Sequence, residues 1–469
     1  MNLKDIPNKW DLIVIGGGIT GAGIFREAAR MGLTTILIEQ RDFAWGSSSR
    51  SSKMVHGGLR YLAAGNINLT RHALQEREKL IAEAPLLVRR LGYYFPLYRG
   101  EFPPRIAAGA LFWLYDRLAG VSDHERVQNE DLARHFSGLD TAQLNGAFYY
   151  TDAVTDDARL VLRVLSESVK LGATLRNYTK GTKLLYDQER VCGLRVKDAA
   201  SGRKIELRAR VVINATGAWA DRFRDKPPEG IRIRPQRGSH LVLSAEAYPV
   251  PQAIFIRHPE DGRRLFIYPW ESRTIIGTTD IPHEDSLDKA ASITPEELAY
   301  LLTAAGQLFT HRPPRREDVI ASWSGVRPII VEGDSNDPGK ASREHQVWSE
   351  KGLIGCSGGK LTTFHHMARD VIERAEKFLP AREHADGGRI FAAVDTDQDL
   401  IAGNPELSER LYGRFGSDAR ALVSMGEEQE LEPYPGTLTC PAELRWSLRR
   451  EAVLHLDDLM LRRSRLGLL

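Results

Sequence analysis

Cysteine and net charge are both scarce in this chain of 469 residues. The three cysteines, Cys192, Cys356 and Cys440, stand far apart, so the sequence offers neither a disulfide framework nor a C-x-x-C metal site. We therefore expect a reducing compartment and no bound metal. A formal net charge of +2 gives no reason to expect nucleic acid as a partner.

Long apolar runs are absent as well. The most apolar stretch, residues 106–115, is far shorter than the ~20 residues that a membrane span needs. We predict that it packs in the core, with a position in the membrane interface as the alternative. Residues 1–9 are polar and lack the apolar centre of an export signal. This favours a cytoplasmic protein, either free or peripheral on the cytoplasmic membrane.

Arginine pairs recur along the chain, and we interpret each as a solvated face rather than a binding patch. Binding to an anionic substrate or an anionic lipid surface is the alternative that they leave open. The pairs are Arg89-Arg90, Arg263-Arg264, Arg315-Arg316 and Arg462-Arg463.

A strand–helix–strand unit opens the chain. Residues 11–15 form a short apolar run that is typical of a buried parallel strand, and residues 34–38 form a second one. Residues 22–31 between them have a helical pattern. The first strand runs directly into the sequence G-G-G-I-T-G, so the glycine spacing G-x-G-x-x-G occurs in the context that gives it meaning.

Each glycine of this turn has a physical reason to be there. Gly16 allows a tight turn, Gly18 lets the backbone approach a pyrophosphate, and Gly21 permits close packing of helix on strand. The helix that begins near Ile19 and Thr20 then directs its partial positive charge at the phosphates. We predict that the turn binds a dinucleotide.

Two further segments extend the dinucleotide site. Glu39 ends the second strand about 20 residues after the turn, where an acid binds the ribose hydroxyls, and Gln40 follows it. The turn alone does not distinguish FAD from NAD. A later apolar strand runs into Ala215-Thr216-Gly217, and such a second contact strip is typical of two-domain flavoproteins.

The remaining patterns predict helices and a second, antiparallel layer. The predicted helices cover residues 68–92, 295–309 and 442–463. The predicted strands are residues 191–196 and 203–207 as a hairpin, residues 210–214, and a strand-rich region at 239–279 with a turn at Asp261-Gly262.

Several distinctive motifs remain. They are S-S-S-R-S-S-K-M-V-H-G-G-L-R-Y-L at 47–62, D-A-R-L-V at 157–161, R-G-S-H at 237–240, I-G-T-T-D at 276–280, W-S-G-V-R-P at 323–328 and G-G-K-L-T-T-F at 358–364. Together they resemble the FAD-dependent glycerol-3-phosphate dehydrogenases of the aerobic, quinone-linked type. The resemblance covers about residues 8–380 in order. It departs at Phe364, where the family often has tyrosine.

The resemblance implies an α/β fold of the D-amino-acid-oxidase-like group. A Rossmann-like FAD-binding domain would be formed by about residues 8–95, 150–235 and 345–388. An antiparallel-sheet substrate domain would take about 96–149 and 236–344, completing a unit of residues 1–388, and a helical C-terminal domain would take 389–469. It further implies a homo-oligomer, a dimer.

The resemblance also implies the reaction and the partners. FAD would oxidise sn-glycerol 3-phosphate to dihydroxyacetone phosphate, and quinone would take the electrons, with oxygen as acceptor in oxidase relatives. Peripheral contact with the membrane is a further implication. An amine or amino-acid oxidase of the same fold, and a flavin-binding module without catalysis, are the competing interpretations.

The chemistry of a phosphorylated alcohol then assigns candidate residues. A phosphate needs cationic donors, for which arginine forks are well suited, and the family motifs provide Arg60, Arg327 and Lys360. We favour His56 as the base that removes the hydroxyl proton, with His240 as its rival. Arg327 and Lys360 complete the catalytic set with His56, and the predicted substrate-binding residues are Arg60, Tyr61, His240, Arg327 and Lys360.

The same motifs complete the predicted FAD site. A polar serine loop would cover the pyrophosphate or the ribityl chain, and backbone N–H groups after Gly358 would face the pyrimidine edge of the flavin. Added to the turn, the ribose acid and the second strip, these cofactor contacts are Ser47, Ser48, Ser52, Lys53, His56, Gly57, Gly359, Leu361 and Thr362.

Overall fold

The strands in the described part of this protein form two sheets. The computed structural model describes residues 5–100, 103–223, 231–332, 341–342, 344–381, 388–394, 396 and 400–469. The first sheet contains β1 (Lys9–Ile15), β2 (Thr35–Ile38), β7 (Thr174–Arg176), β8 (Thr179–Asp187), β9 (Arg190–Asp198), β10 (Lys204–Asn214), β18 (His345–Glu350) and β19 (Leu353–Gly358). The second contains β3 (Met54–Val55), β4 (Arg89–Tyr98), β5 (Glu125–Val127), β6 (Leu144–Val154), β11 (Ile231–Ser244), β12 (Ala253–Arg257), β13 (Arg264–Trp270), β14 (Arg273–Gly277), β15 (Ile281–Pro282), β16 (Val319–Glu332) and β17 (Ala341–Ser342).

The helices cover the sheets and build the C-terminal region. They are α1 (Ile19–Arg30), α2 (Leu59–Ala63), α3 (Ile67–Glu83), α4 (Arg105–Ala119), α5 (Asn129–His135), α6 (Asp157–Lys170), α7 (Pro295–Gly306), α8 (Phe364–Ala375), α9 (Pro405–Phe415), α10 (Ala419–Met425), α11 (Pro441–Arg450) and the single turn α12 (Leu456–Asp458).

The centre of the first sheet is parallel, in the order β19-β10-β1-β2-β7. The strand–helix–strand prediction is confirmed, because β1 and β2 pair in parallel with α1 between them. Ile15 lies opposite Ile38 in one direction and Asn214 in the other. This register brings the glycine turn, Glu39 and the segment after Asn214 to the same edge of the sheet, where ligands of open parallel sheets bind.

The strand β10 pairs with three other strands. Its first half pairs antiparallel with β9, which confirms the predicted hairpin around residues 201–202. Its second half pairs parallel with β1 and β19. The two strands predicted at 203–207 and 210–214 are therefore one continuous strand.

The second sheet is largely antiparallel, as its sequence pattern indicates. It runs in the order β17-β16-β11-β14-β13-β12-β4-β6-β3, and the hairpin at Asp261-Gly262 joins β12 to β13. The long pair β11–β16 sets Gln236 opposite Arg327 and Ser239 opposite Ser324. Since β4 and β6 also lie here, residues 89–95 and 150–154 belong to the second sheet and not to the nucleotide-binding one.

The predicted helix over 68–92 is wrong in its second half. Helix α3 ends at Glu83, and residues from Arg89 form β4. Pro85 explains the end of the helix, because the residue before a proline is disfavoured in the helical region, and Ala84 has φ −135°. The apolar spacing of Leu80, Ala84 and Leu87 imitated a helical face across this break.

The apolar stretch 106–115 lies in α4 and is only half buried. Phe112 and Tyr115 are buried on one face, whereas Ile106 is 88% and Trp113 57% exposed on the other. The prediction that this stretch packs in the core therefore holds for one face of the helix. Within the described residues, no helix is both long and apolar enough to cross a membrane.

The C-terminal region attaches to the rest through buried arginines. Helices α9 to α11 enclose a small core that includes Leu411, Phe415 and Trp446. The predicted helix over 442–463 is interrupted, because α11 ends at Arg450 and a further helical turn spans Leu459–Arg463. The interpretation of Arg462-Arg463 as a solvated pair is wrong, since both are buried and bind Asp42.

Candidate active site

One cavity of about 730 Å³ lies where the two sheets meet. The ends of β1, β2, β10 and β19 contribute one wall, and β4, β6, β12, β13 and β16 contribute the other. The predicted site residues that line it are Gly16, Gly18, Ile19, Thr20, Glu39, Gln40, Ser47, Ser48, Ser52, His56, Arg60, Tyr61, Ala215, Thr216, Gly217, Arg327, Gly359, Lys360, Leu361 and Thr362. The cavity therefore joins the predicted dinucleotide end to the predicted substrate end.

The glycine turn leaves no room for side chains. Gly16 has φ +112°, and a Cβ atom there would stand 2.5 Å from the carbonyl oxygen of Ala215. A Cβ on Gly21 would meet the Gly16 carbonyl oxygen at 1.9 Å. At the start of α1, the Ile19 N–H donates to the Ser48 hydroxyl at 3.0 Å. The turn thus holds the N-terminus of α1 against the cavity, as an anion site requires.

The carboxylate of Glu39 is fixed by backbone donors. It accepts from the Gly17 N–H at 2.7 Å through Oε2 and from the Arg41 N–H at 2.8 Å through Oε1. Burial raises the pKa of Glu39, and the backbone hydrogen bonds oppose that shift only in part. Glu39 lines the cavity at the adenine-side end that the sequence predicts.

One aspartate, Asp157, fixes the serine loop at residues 47–52. Asp157 accepts from the Ser51 N–H and hydroxyl at 3.0 and 2.7 Å, and it pairs with Lys53 at 3.0 Å. The Ser47 hydroxyl bonds the carbonyl of Val326 on β16. The loop is consequently tied to both walls of the cavity.

Four of the predicted site residues, Gly21, Lys53, Gly57 and His240, lie behind the cavity wall and not on its lining. Lys53 is fully buried against Asp157, and its ammonium lies over the rings of Trp270 and Trp323 at 4.8 and 4.6 Å. His240 stacks on Trp323 and bonds the Ser52 hydroxyl at 2.8 Å.

The other two residues behind the cavity wall are glycines, which pack against neighbouring groups and do not line the cavity. Gly21 lies against the Gly16 carbonyl, and the Gly57 N–H donates to Asp152 at 3.0 Å. Burial lowers the pKa of His240 well below 6.5, with Arg327 and Lys53 adding to the shift, so its imidazole is neutral. These four residues support groups that face the cavity.

His56 is clamped by Thr362 across more than 300 residues of sequence. The Thr362 hydroxyl accepts from the His56 N–H at 3.2 Å and donates to the His56 carbonyl at 3.3 Å. The next residue, Gly57, is held by Asp152. His56 is thus fixed at its backbone on both sides while lining the cavity.

Cations concentrate at this end of the cavity. Lys360 stands 3.6 Å from the centre of the Tyr61 ring, a cation–π contact. Arg327 donates to Asp280 at 2.9 Å and to the Thr278 hydroxyl at 3.2 Å. Arg60 is exposed and lines the same region.

Sequence reasoning missed two members of this group. Arg263, interpreted as part of a solvated pair, lines the cavity and pairs with Asp280 at 3.3 Å, opposite Arg327. Asp152 also lines it, with its charge paired to Arg77 at 2.6 Å. Arg263 directly follows the turn at Asp261-Gly262, and that turn was the available signal for it. Arg60, Arg263, Arg327 and Lys360 line this end together with two carboxylates, Asp280 and Asp152, and Asp152 is already paired with Arg77 behind the wall, so this end is electropositive.

The residues present fit an FAD. The glycine cradle, the N-terminus of α1 and Glu39 suit the adenosine diphosphate half. The strip at Ala215–Gly217 and the segment after Gly358 continue along the same cavity toward His56. Among the described residues, no cluster of His, Cys, Asp and Glu is suited to a metal ion.

Comparison with known proteins gives the same assignment. Residues 11–374 match the model of the FAD dependent oxidoreductase family. The aerobic glycerol-3-phosphate dehydrogenases of Staphylococcus aureus (strain USA300) and Staphylococcus haemolyticus (strain JCSC1435) are each 32% identical over 98% of this chain and 88% of their own. The chain belongs to the aerobic glycerol-3-phosphate dehydrogenase family of FAD-dependent oxidoreductases.

The fold agrees with solved structures. The glycerol-3-phosphate dehydrogenase of Bacillus halodurans complexed with FAD superposes with a TM-score of 0.78 at 28% identity, covering 97% of this chain and 86% of that one. Glycine oxidase from Bacillus cereus shares the fold at a TM-score of 0.60 and 17% identity, covering 80% of this chain and 99% of that one. The predicted fold class, a D-amino-acid-oxidase-like flavoprotein, is confirmed.

Proposed function

We propose that this protein oxidises sn-glycerol 3-phosphate to dihydroxyacetone phosphate. The observation that carries the proposal is the electropositive end of the cavity, formed by Arg60, Arg263, Arg327 and Lys360 beside the dinucleotide cradle. A phosphate of nearly two negative charges needs such a cluster, whereas an amino-acid substrate needs one carboxylate clamp. Family membership supports the same substrate.

The chain binds FAD through two groups of residues. The backbone N–H groups at the start of α1 would hold the pyrophosphate together with Ser47 and Ser48, and Glu39 would hold the ribose. Gly359, Leu361 and Thr362 offer backbone groups to the redox-active end. FAD held there would supply the hydride acceptor for the oxidation of carbon 2 of the substrate.

The substrate is oriented through its phosphate. Arg327 presents a planar fork whose geometry matches phosphate oxygens, and Lys360 adds a point charge. Asp280 fixes the Arg327 guanidinium through one nitrogen, Nη1, at 2.9 Å. Arg60, on the short helix α2, approaches from the exposed side of the cavity.

His56 takes the proton of the reacting hydroxyl. Its backbone is fixed by Thr362, and it lines the cavity two residues before Gly58, where an added Cβ would stand 3.1 Å from the Lys360 ammonium. A near-neutral imidazole suits proton removal at physiological pH. His240 has the weaker claim, because its ring stacks behind Ser52.

Anaerobic bleaching of the flavin tests the proposal directly. Purified protein with bound FAD is mixed with glycerol 3-phosphate, and in parallel with glycine and with sarcosine. We expect the 450 nm absorbance to fall with glycerol 3-phosphate alone. Reduction by glycine or sarcosine, with none by glycerol 3-phosphate, would assign the chain to the amine oxidases of this fold.

Quinone is the proposed electron acceptor, reached through a peripheral membrane contact. The support is α4, where exposed Ile106 and Trp113 stand beside the exposed cations Arg105 and Arg117. Aromatic and cationic side chains together favour a membrane interface. We expect sedimentation with anionic vesicles at low salt, reduced for Trp113→Ser, and no sedimentation at low salt would refute the contact.

A homodimer completes the proposal. Leu448, Leu454 and Leu456, all more than half exposed on the C-terminal region, offer an apolar surface for a second copy. Sedimentation equilibrium gives the mass, and a monomer at micromolar concentration would contradict a stable dimer.

A further inference from the structure

In the described part of the chain, only one of the two carboxylate oxygens of Asp152 accepts hydrogen bonds. Its Oδ1 accepts from the Gly57 N–H at 3.0 Å, from Arg77 at 2.6 Å and from the Tyr115 hydroxyl at 2.9 Å. Within the described part of the chain, no hydrogen bond reaches Oδ2. Asp152 is 2% exposed and lines the cavity, so Oδ2 is an acceptor held in place for a ligand.

The wall around Asp152 is aromatic. Its cavity-lining neighbours are Tyr93 and Tyr150 on β4 and β6 and Phe255 and Phe266 on β12 and β13. The Tyr93 hydroxyl is buried and has no hydrogen-bond partner in the described part of the chain. Buried polar groups of native proteins are nearly always satisfied, by protein, water or ligand.

The wall around Asp152 is connected to both His56 and Arg327. On one side Oδ1 of Asp152 holds the residue after His56. On the other, Phe266 contacts Tyr93 and lies opposite Gly277, whose successor Thr278 binds Arg327. A substrate that spans His56 and Arg327 therefore passes this wall.

The substrate has three polar groups, and two already have partners under the proposed function. The cations take the phosphate and His56 takes the reacting hydroxyl, which leaves the primary hydroxyl on carbon 1. A carboxylate accepts strongly from an alcohol O–H in a desolvated site. We propose that Oδ2 of Asp152 binds the primary hydroxyl of glycerol 3-phosphate and makes the enzyme specific for polyol phosphates.

This assignment rests on the proposed function, and an analogue tests it without any mutation. The matching enantiomer of propane-1,2-diol 1-phosphate keeps the phosphate and the reacting hydroxyl but lacks the primary hydroxyl. We expect kcat/KM for flavin reduction to fall about 30-fold with the analogue, the loss of one hydrogen bond to a charged group. Equal rates within about threefold would overturn the assignment, while failure of both compounds would refute the proposed function instead.

Asp152→Asn locates the effect. The ratio of kcat/KM between the two compounds should collapse toward one, because the amide cannot accept as a carboxylate does. Asp280→Asn is the matched control, since Asp280 lines the same cavity but both of its oxygens bind arginines. It should slow both compounds alike and keep the ratio. An unchanged kcat/KM ratio in Asp152→Asn would contradict the assignment, and so would a lost ratio in Asp280→Asn. If Asp152→Asn fails to fold, the comparison of the two compounds in the wild type decides the assignment.

Discussion

The hydroxyl of Thr362 bonds both the backbone N–H and the backbone carbonyl of His56, at 3.2 and 3.3 Å. Two segments that lie more than 300 residues apart are thereby joined at the reacting end of the cavity. The position of the proposed base depends on the turn that also faces the flavin site. A change in either segment is expected to affect the other.

Thr362→Val should slow flavin reduction while leaving FAD bound. Valine keeps the shape but loses both hydrogen bonds, so His56 is held less well, and we expect about a tenfold lower rate. Anaerobic stopped-flow reduction measures it. Thr362→Ser should restore most of the rate, and Thr363→Val, which alters the adjacent hydroxyl, is the control. A normal rate in Thr362→Val would show that the clamp does not position His56.

Arg327→Ala should raise KM for glycerol 3-phosphate by about 100-fold, the loss of a charge-assisted bond to phosphate. FAD content should stay at the wild-type level, since Arg327 is bound by Asp280 and Thr278 rather than by the dinucleotide cradle. Steady-state kinetics with a dye acceptor and flavin absorbance measure the two effects. The exposed Arg316→Ala is the control, and loss of FAD would place Arg327 in a structural role.

Glu39→Ala should weaken FAD binding before it affects the substrate. The variant loses the carboxylate that fixes the Gly17 N–H and that would accept from ribose. We expect about a tenfold higher Kd for FAD in fluorescence titration of the apoprotein. Glu206→Gln, on an exposed strand, should bind normally. Unchanged FAD affinity would exclude Glu39 from the adenosine site.

His365 should make stability depend on pH. Burial lowers the pKa of His365, but its ion pairs with Glu27 and Glu76, at 3.5 and 3.4 Å, outweigh the effect of burial, so the pKa is raised above 6.5. The contribution of His365 to the free energy of unfolding is therefore complete below pH 6.5, and it is lost as pH rises through the pKa of His365 in the folded state. The melting temperature of the wild type should fall over that interval more than that of His365→Gln. Parallel curves would contradict this.

Arg465→Met should destabilise the fold and loosen the serine loop. Arg465 is buried and binds Asp156 at 2.9 and 2.8 Å, Asp157, and the Ser49 carbonyl at 3.1 Å. Removing one partner of a buried pair costs about 3–5 kcal/mol. We expect a lower urea midpoint and faster FAD loss, partly reversed by Asp156→Asn in the same chain. Arg449→Met, at an exposed site, is the control.

The sequence predicts local features of this protein well and distant ones poorly. The βαβ unit follows from neighbouring residues, because strand, glycine turn and helix are contiguous. The end of α3 was predictable from Pro85, yet the apolar spacing outweighed it. Most of the residues predicted from glycine and motif positions line the cavity, because such positions constrain the backbone itself.

Charged side chains were misjudged where their partners are remote in sequence. Arg462 and Arg463 are buried because Asp42, some 420 residues earlier, receives them. Lys53 belongs to a family motif, but its side chain lies behind the cavity wall and pairs with Asp157. No spacing in the sequence encodes such pairings, since they arise only when the tertiary fold brings the segments together.

The contact between Arg465 and Ser49 spans 416 residues. During synthesis on the ribosome, the serine loop therefore emerges long before the guanidinium that fixes it. A nascent chain can form the βαβ unit early, but the serine loop of its cavity wall lacks the contact with Arg465 until residue 465 has left the exit tunnel. Firm retention of the cofactor is thus tied to late translation, and ribosome-arrested chains shorter than this should release FAD faster than the finished protein.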